Sequence, residues 1–339
     1  MMAQDSPRLA TLDGASIDSV RFDRLAAACE PVVLRGLCRD WPAVAQAAVP
    51  EALGAYLARF DAGRSAEAFV AEPVVGGRYA YSDDLAGFNF SRETMRFAEA
   101  LERIFVAART PQSPSVYVGS LPTDAYLPGF AEENRLSVLA GSVVPRIWIG
   151  TASAVACHYD TFDNIACVVA GQRRFTLYPP DAIANLYVGP IDHTMAGQPI
   201  SLAASAAPGD PRYPDFAAAR PRALTVDLAP GDALYLPKLW WHSVEATAPF
   251  NVLVNYWFDR FASGPDQPYT AMLLAMIAIA ERPAPERAAW RAFFDHYVFR
   301  PDGHPLAHLP DAQHGILGPL REGNYGRIRA LVMKLLRGG

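Results

Sequence analysis

The stretch from about residue 115 to residue 260 is a series of short apolar segments that Gly, Pro and Asp residues separate. Segments of this kind, rich in branched and aromatic side chains, are typical of strands in a sandwich or barrel. Residues 198–222 lack this periodicity, so we interpret them as an insertion between strands. The predicted strands are Val116–Val118, Arg146–Ile149, Ile165–Val169, Arg174–Tyr178, Ala223–Leu228, Ala233–Leu236 and Phe250–Phe258. The fold is therefore predicted to be mainly β, with flanking helices.

The regions on either side of this core have different patterns and predict a chain of three parts. Residues 1–114 form an N-terminal α/β segment, residues 115–262 the β core, and residues 263–339 a helical region. In the first part, Pro31–Leu34 predicts a buried strand. Ser91 predicts the N-cap of a helix that runs to Ala108.

The C-terminal part carries apolar side chains at helical spacing. Met272–Ala280 is apolar nearly all round, Pro285 opens a further helix, and an apolar stripe follows over Ile328–Leu336. Such stripes need a partner surface, which is either the β core or the same helices of a second copy. The second alternative predicts a homodimer formed through the C-terminal helices.

Composition excludes several classes of function. The chain of 339 residues has a net charge of −5 and a pI near 5.8, without the basic footprint of a nucleic-acid binder. Its four cysteines form no CxxC pair, which favours reduced thiols over a zinc or redox motif. The N-terminus lacks a signal-peptide pattern. The most apolar run, Ala271–Ala280, is about half as long as a membrane span, so we expect a cytoplasmic protein.

Three residues suggest a metal centre. His158 and Asp160 are two positions apart, so on a strand both side chains point to one side while Tyr159 faces the other. A lone His242 follows the turn Pro230–Asp232 and the strand after it, which returns it to the interior of a barrel. Two imidazoles and a carboxylate on one face of a metal suit Fe(II) and leave open positions. A His-x-Asp pair is common by chance, and the other five histidines lie in predicted loops or helices.

Further motifs occur in order along the chain. Asn164 lies four residues after Asp160, and a Gly-Gln-Arg-Arg turn begins at Gly171. The segments Tyr178–Pro180, Pro230–Asp232, Pro237–His242 and Val254–Trp257 follow. With these motifs the chain resembles the JmjC/cupin-like family of Fe(II)- and 2-oxoglutarate-dependent oxygenases. It is most similar to the branch that includes the asparaginyl hydroxylase acting on hypoxia-inducible factor. The resemblance implies a double-stranded β-helix, also called a jelly-roll or cupin core.

This resemblance implies roles for individual residues. It assigns His158, Asp160 and His242 to the iron. It places Arg173 where the branch usually has a lysine that pairs with the distal carboxylate of 2-oxoglutarate. An arginine can hold a carboxylate through a bidentate fork. The neighbouring Arg174 is expected to point outward into solvent.

Other residues are expected around the co-substrate. Asn164 matches a polar residue near the co-substrate and the iron, or alternatively is a buried Asn that satisfies backbone groups. Tyr117 matches a tyrosine whose hydroxyl reaches the same carboxylate. Val155 stands where the family often has Thr or Ser. Either Thr151 or Ser153 replaces that hydroxyl, or the hydrogen bond is missing.

The last predicted strand and the preceding loop contribute three further expectations. Trp257 either forms a wall of the iron pocket or belongs to the ordinary core. Asn255 is also a candidate for cofactor contact, although we expect it to face the other side of the strand unless a bulge intervenes. Lys238, near His242, either contacts the substrate or, as we interpret it, is a solvent-exposed loop residue.

The resemblance implies an enzyme that couples oxidative decarboxylation of 2-oxoglutarate, giving succinate and CO2, to hydroxylation of a protein or peptide side chain or a small molecule. Two alternatives remain. One is a metal-binding cupin of another class, such as an isomerase or a dioxygenase independent of 2-oxoglutarate, although the segment around His158 offers no additional His or Glu ligand. The other is a non-catalytic binding module. Loops near Tyr79–Phe90 and Tyr126–Glu133 are expected to select the substrate.

Overall fold

A computed structural model of the protein describes residues 9–82, 85–139, 141–192, 194 and 197–338. His193 and two residues of the predicted substrate loop, Asp83 and Asp84, lie outside the described residues. The described chain divides into two compact units, Met1–Phe258 and Asp259–Gly339.

Strands dominate the first unit. They are β1 (Ala10–Asp13), β2 (Val32–Arg35), β3 (Ser65–Ala71), β4 (Arg78–Tyr79), β5 (Ser91–Arg96), β6 (Ser115–Pro122), β7 (Arg146–Gly150), β8 (Ser153–His158), β9 (Asp163–Ala170), β10 (Arg173–Tyr178), β11 (Leu224–Leu228), β12 (Ala233–Leu236), β13 (Trp241–Ala246) and β14 (Asn251–Phe258). Among the described residues, nine strands form one sheet in the order β1-β2-β12-β9-β14-β7-β6-β3-β5. The other five form a second sheet in the order β11-β10-β13-β8-β4.

The two sheets pack on each other through an apolar cluster. Its buried members are Val33, Ala166, Val168, Leu234, Leu236 and Leu253 from the larger sheet, with Phe175, Leu177 and Leu228 from the smaller one. Strand β10 shows why the chain folds this way, since its residues alternate. Phe175 and Leu177 are buried, while Arg174 is exposed and pairs with Asp227. The predicted mainly β fold with a jelly-roll type core is confirmed, as is the outward direction of Arg174.

Helices flank the sheets of the first unit. They are α1 (Ser19–Ala27), α2 (Pro42–Gln46), α3 (Pro50–Ala58), α4 (Phe97–Arg109), α5 (Thr123–Tyr126), α6 (Phe130–Glu133) and α7 (Phe216–Ala219). A large core cluster joins several of them to the nine-stranded sheet, including Phe22 of α1, Leu57 of α3, Ile104 of α4 and Val254 of β14. Burial of each such side chain contributes about 1.5–3 kcal/mol, so the helices fix the outer face of this sheet.

The predicted helix N-cap at Ser91 is wrong. Residues Ser91–Arg96 form β5, which pairs antiparallel with β3, and α4 begins only at Phe97. The backbone of this segment finds hydrogen-bond partners at the sheet edge, and Met95 turns into the core. Strand propensity depends on such packing more than on local sequence, and the prediction contained no partner strand at residues 65–71.

The insertion between β10 and β11 packs against the core. Phe216 of α7 and Ala203 lie in an apolar cluster with Trp241. Ile200 forms an isolated antiparallel bridge with His158, the last residue of β8. The segment that lacked periodicity therefore flanks the strand that carries the first predicted metal ligand.

The second unit contains α8 (Pro268–Ile279), α9 (Ala284–Phe294) with a π-helical turn after it (Asp295–Phe299), and α10 (Asn324–Leu336). Asp266 ties the start of this unit to α10, since it accepts hydrogen bonds from Tyr325 and Arg329. No helix within the described residues is both long enough and apolar enough to cross a membrane.

Candidate metal centre

His158 and Asp160 lie at the end of β8. The strand ends at His158, so Asp160 belongs to the loop that follows, and the expectation of both ligands within one strand is wrong. Tyr159 nevertheless points away from them, since its ring packs on Trp241 with centroids 4.8 Å apart. The loop is held in place because the Leu239 amide donates to the Asp160 carbonyl at 2.8 Å.

His242 reaches the same place from β13. It is the direct cross-strand partner of His158, and the two ring centroids are 4.3 Å apart. The pairing of β8 with β13 is irregular next to these residues, because two residues of β8, Ala156 and Cys157, oppose the single residue Ser243 of β13. A bulge of this kind re-aims a side chain and is common beside active sites.

The three side chains form a compact group of metal-ligand atoms. Their candidate ligand atoms all lie within 4.8 Å of one another, and His242 Nε2 lies 3.8 Å from Asp160 Oδ2. In each histidine Nδ1 is bonded to a backbone carbonyl, that of Ala156 for His158 and that of Trp240 for His242. With Nδ1 carrying the proton, Nε2 is left free to bind a metal.

The electrostatics of the group favour a bound cation. Burial, followed by the nearby His158, lowers the pKa of His242 to about 4. The imidazole is therefore neutral at pH 7, which is the form that ligates metals. Two imidazoles and one carboxylate are the donor set that suits Fe(II), so the residues present fit that ion.

Side chains of β7 and β14 support this group. Trp257 Nε1 donates to Asp160 Oδ2 at 3.1 Å. Beside it, Trp148 Nε1 donates to Asn255 Oδ1 at 2.6 Å, and Asn255 Nδ2 donates to Asn164 Oδ1 at 3.2 Å. The expectation that Asn255 faces away from Trp257 is wrong. The two residues are separated by one position on β14, so both side chains project to the same side of the sheet.

Arg173 is the buried cation of the same barrel. It lies on the inward face of β10 and is only 2% exposed. No carboxylate within the described part of the chain forms an ion pair with it, and its Nε has no hydrogen-bond partner. Burial lowers its pKa, and the interaction with Tyr117 opposes this effect. A buried guanidinium without a counter-charge is costly, so an anion such as the distal carboxylate of 2-oxoglutarate fits here.

Tyr117 and Thr151 are placed differently relative to Arg173. Burial raises the pKa of Tyr117, and the charge of Arg173 acts in the opposite direction, so the two groups interact. Thr151 instead uses its hydroxyl on the backbone of β6, where it accepts from the Val116 amide at 3.2 Å. The structure thus brings Tyr117 to Arg173, and it shows the Thr151 hydroxyl engaged by Val116.

Sequence reasoning missed several residues of this region. The expectation of an exposed Lys238 is wrong, because it is 25% exposed and its Nζ lies 3.6 Å from the buried carboxylate of Asp163. The sequence analysis also gave Trp148 no role. Its indole lies in the predicted strand Arg146–Ile149, shortly before His158 in the chain, and this position was a signal for a place in the site. The pair of Lys238 and Asp163 joins the loop before β13, the strand that carries His242, to the start of β9, which follows the loop that carries Asp160.

Comparison with known proteins places this geometry in a family. The sequence profile of a family described as a cupin-like domain matches residues 19–264, well over half of the chain. The chain belongs to the cupin-like domain family. Among similar proteins, human bifunctional peptidase and (3S)-lysyl hydroxylase JMJD7 is 28% identical over 257 residues, which cover 68% of this cupin-like chain and 77% of that protein.

Other relatives of this cupin-like protein match over shorter stretches. HSPB1-associated protein 1 of Bos taurus is 33% identical over 149 residues, 42% of this chain and 30% of that protein. Jumonji C domain-containing protein 5 of Drosophila melanogaster is 36% identical over 121 residues, 35% of this chain and 28% of that protein. The chain thus spans less than a third of the length of these two relatives. The resemblance to JmjC proteins is confirmed, while the finer affiliation with the asparaginyl hydroxylase branch stays a prediction.

Proposed function

We propose that this protein is an Fe(II)- and 2-oxoglutarate-dependent oxygenase that hydroxylates its substrate. One observation carries the proposal: the core holds both a His158–Asp160–His242 group and the buried Arg173, which has no ion-pair partner among the described residues. When bound, Fe(II) and 2-oxoglutarate would let dioxygen give one oxygen atom to succinate, which forms with CO2 by oxidative decarboxylation, and the other to a C–H bond of the substrate. A cupin isomerase, or a dioxygenase independent of 2-oxoglutarate, would leave the buried charge of Arg173 without an explanation.

In this proposal, different residues of the chain bind the metal and 2-oxoglutarate. The backbone carbonyls behind His158 and His242 hold each Nε2 toward the ion, and the Trp257 indole holds the Asp160 carboxylate. Arg173, with Tyr117 beside it, binds the distal carboxylate of 2-oxoglutarate. The protein thereby orients both cofactors and keeps water from the reacting groups.

The part of the candidate site that β7, β9 and β14 form consists of polar and aromatic side chains. They are Trp148, Asn164, Asn255 and Trp257. In the structure the two amides bond each other, and Asn255 also accepts from Trp148. We assign Asn164, Asn255 and Trp257 to co-substrate contact on this ground. The Thr151 hydroxyl accepts a hydrogen bond from the Val116 amide, so we assign it to holding β6 beside the co-substrate.

A protein or peptide side chain is the substrate class we favour over a small molecule. The human relative that aligns with 68% of this chain carries lysyl hydroxylase in its name, and another relative is named for association with HSPB1. A cytoplasmic location is part of the proposal, since all four cysteines are free thiols, as is usual in a reducing compartment.

The proposal is tested by succinate formation. Purified protein is incubated with 2-oxoglutarate, Fe(II), ascorbate and a peptide mixture, and succinate is quantified. We expect iron-dependent succinate and peptides heavier by one oxygen atom. If 2-oxoglutarate neither binds nor turns over, the function is of another cupin class or non-catalytic.

Trp257→Phe is expected to weaken Fe(II) binding by about tenfold to a hundredfold, the usual effect of losing a hydrogen bond to a metal ligand. Phenylalanine keeps a ring beside Trp148 but cannot donate to Asp160 Oδ2. Anaerobic calorimetric titration with Fe(II) measures the change. Trp148→Phe is the matched control, because Trp148 bonds Asn255 rather than a ligand. Equal iron affinity for Trp257→Phe and the wild type would contradict this role.

The C-terminal helices are proposed to pair with those of a second copy. Large apolar side chains of the second unit are exposed on all three helices, among them Ile277, Phe293, Leu335 and Leu336. Exposed apolar patches of this extent mark protein interfaces. Light scattering after gel filtration is expected to give twice the chain mass of 36.8 kDa. A mass equal to that of one chain would contradict the dimer.

A further inference from the structure

Arg146 is a second cation near the candidate metal centre. It begins β7 and projects to the same side as Trp148, two positions along the strand. Its Cζ lies 5.5 Å from the ring centroid of Trp257. Because the Trp257 indole in turn bonds Asp160, one aromatic side chain separates the guanidinium from a ligand of the metal.

The hydrogen-bond partner of Arg146 is a residue with a strained backbone. Arg146 Nε donates to Ser120 Oγ at 2.7 Å. Ser120 has φ of +58°, in the left-handed region that L-residues rarely adopt. It lies where the pairing of β6 with β7 is irregular, between Val118 and Leu121. Strain of this kind persists where surrounding structure holds it, and it clusters at functional sites.

The charge of Arg146 is not neutralised by an ion pair within the described residues. Burial lowers the pKa of Arg146, and Asp124 counteracts this only through a longer-range attraction. No carboxylate among residues described by the structure forms an ion pair with Arg146, whereas the half-exposed Arg35 and the exposed Arg174 are both paired. Its terminal amino groups likewise have no hydrogen-bond acceptor in the described part of the chain. One face of the guanidinium lies on Trp257, which leaves these edge groups for a ligand.

We propose that Arg146 binds a carboxylate of the substrate, so that the enzyme selects peptides with an acidic side chain close to the reacting carbon. The planar fork of arginine matches a carboxylate through two parallel hydrogen bonds. Stacking on Trp257 and the bond to Ser120 pre-organise it, which reduces the entropy lost on binding. This inference rests on the proposed function, since it names the substrate class of that same site.

Two degenerate peptide libraries test the inference. They have amidated C-termini and differ only in carrying Asp and Glu or Asn and Gln at the varied positions. One readout is hydroxylated product by mass spectrometry, and the other is retention on immobilised protein loaded with Mn(II). Wild-type protein is expected to favour the acidic library by about tenfold or more, as for a charge-assisted pair. Arg146→Met is expected to lose this preference.

Two controls separate substrate binding from a structural role. Arg174→Met, which removes an exposed arginine on the outer side of β10, is expected to keep the preference. The affinity of Arg146→Met for Mn(II) and 2-oxoglutarate is expected to stay within about twofold of the wild type. A marked loss of that affinity would show that Arg146 positions Trp257 instead, and would overturn the inference. A version of the amide library with free C-termini distinguishes a terminal carboxylate from a side-chain one.

The outcomes distinguish the two proposals. Succinate formation without preference for the acidic library overturns the role of Arg146 and leaves the proposed function intact. Acidic peptides retained in an Arg146-dependent manner, but without turnover, support Arg146 and count against the oxygenase. If the acidic library is neither retained nor preferred, or if Arg146→Met keeps the preference, the inference is wrong.

Discussion

Alanine at His158 is expected to reduce succinate formation to background while the protein stays folded. Only one imidazole and one carboxylate would remain of the ligand group, and two ligands hold Fe(II) too weakly for turnover. The fold should survive because the sheets pack through apolar residues such as Phe175, Leu177 and Leu234, independently of a metal. Succinate assays and thermal unfolding measure the two effects, and the unfolding midpoint should move by no more than about 4 °C.

A matched histidine serves as the control for this prediction. His296 is exposed in the second unit, and His296→Ala should keep full turnover. An unfolded His158→Ala protein would indicate a structural metal rather than a catalytic one. Turnover retained in His158→Ala would remove the ligand assignment altogether.

Methionine at Arg173 is expected to weaken 2-oxoglutarate binding by about tenfold to a hundredfold, since a hydrogen bond to a charged partner is worth about 1.5–3 kcal/mol. The same substitution should not lower stability in the absence of 2-oxoglutarate. It removes a buried guanidinium that has no counter-charge in the part of the chain that the structure describes, and replacing such a charge by an apolar group is neutral or stabilising. Calorimetry with 2-oxoglutarate and urea unfolding of the metal-free protein measure both effects.

The prediction for Arg173 is specific because it combines weaker 2-oxoglutarate binding with a stability that does not fall. A structural arginine would give loss of stability without a selective loss of 2-oxoglutarate affinity. Arg174→Met is the control next to it in sequence, because that side chain lies on the outer face and pairs with Asp227. Wild-type affinity for 2-oxoglutarate in Arg173→Met would contradict the anchor role.

Much of the β core could be predicted because strand patterns are local. The predicted strand Ala233–Leu236 has the observed bounds, and the other core predictions differ from the observed strands by a few residues. The failure at Ser91 has the opposite cause. Its strand depends on β3, a partner separated from it along the chain, and no local pattern in Ser91–Arg96 encodes that pairing.

In the candidate site, likewise, the residues marked by local motifs could be predicted, and the long-range contacts could not. His158, Asp160 and His242 could be found from ordered motifs, although the loop position of Asp160 depends on where β8 ends. The supporting contacts could not be found, because each one joins distant parts of the chain. Trp257 reaches Asp160 and Trp148 reaches Asn255 only after β7, β9 and β14 pair in their observed register. Arg146 was missed because its contacts with Ser120 and Trp257 form only once β6, β7 and β14 have paired.

The most direct measurement is anomalous diffraction at the iron edge from crystals grown without oxygen in the presence of Fe(II) and 2-oxoglutarate. We expect one iron peak bound by His158 Nε2, Asp160 and His242 Nε2, with the distal carboxylate of 2-oxoglutarate on Arg173. An iron peak elsewhere, or a diacid bound away from Arg173 while the three ligands stay metal-free, would contradict the assignment.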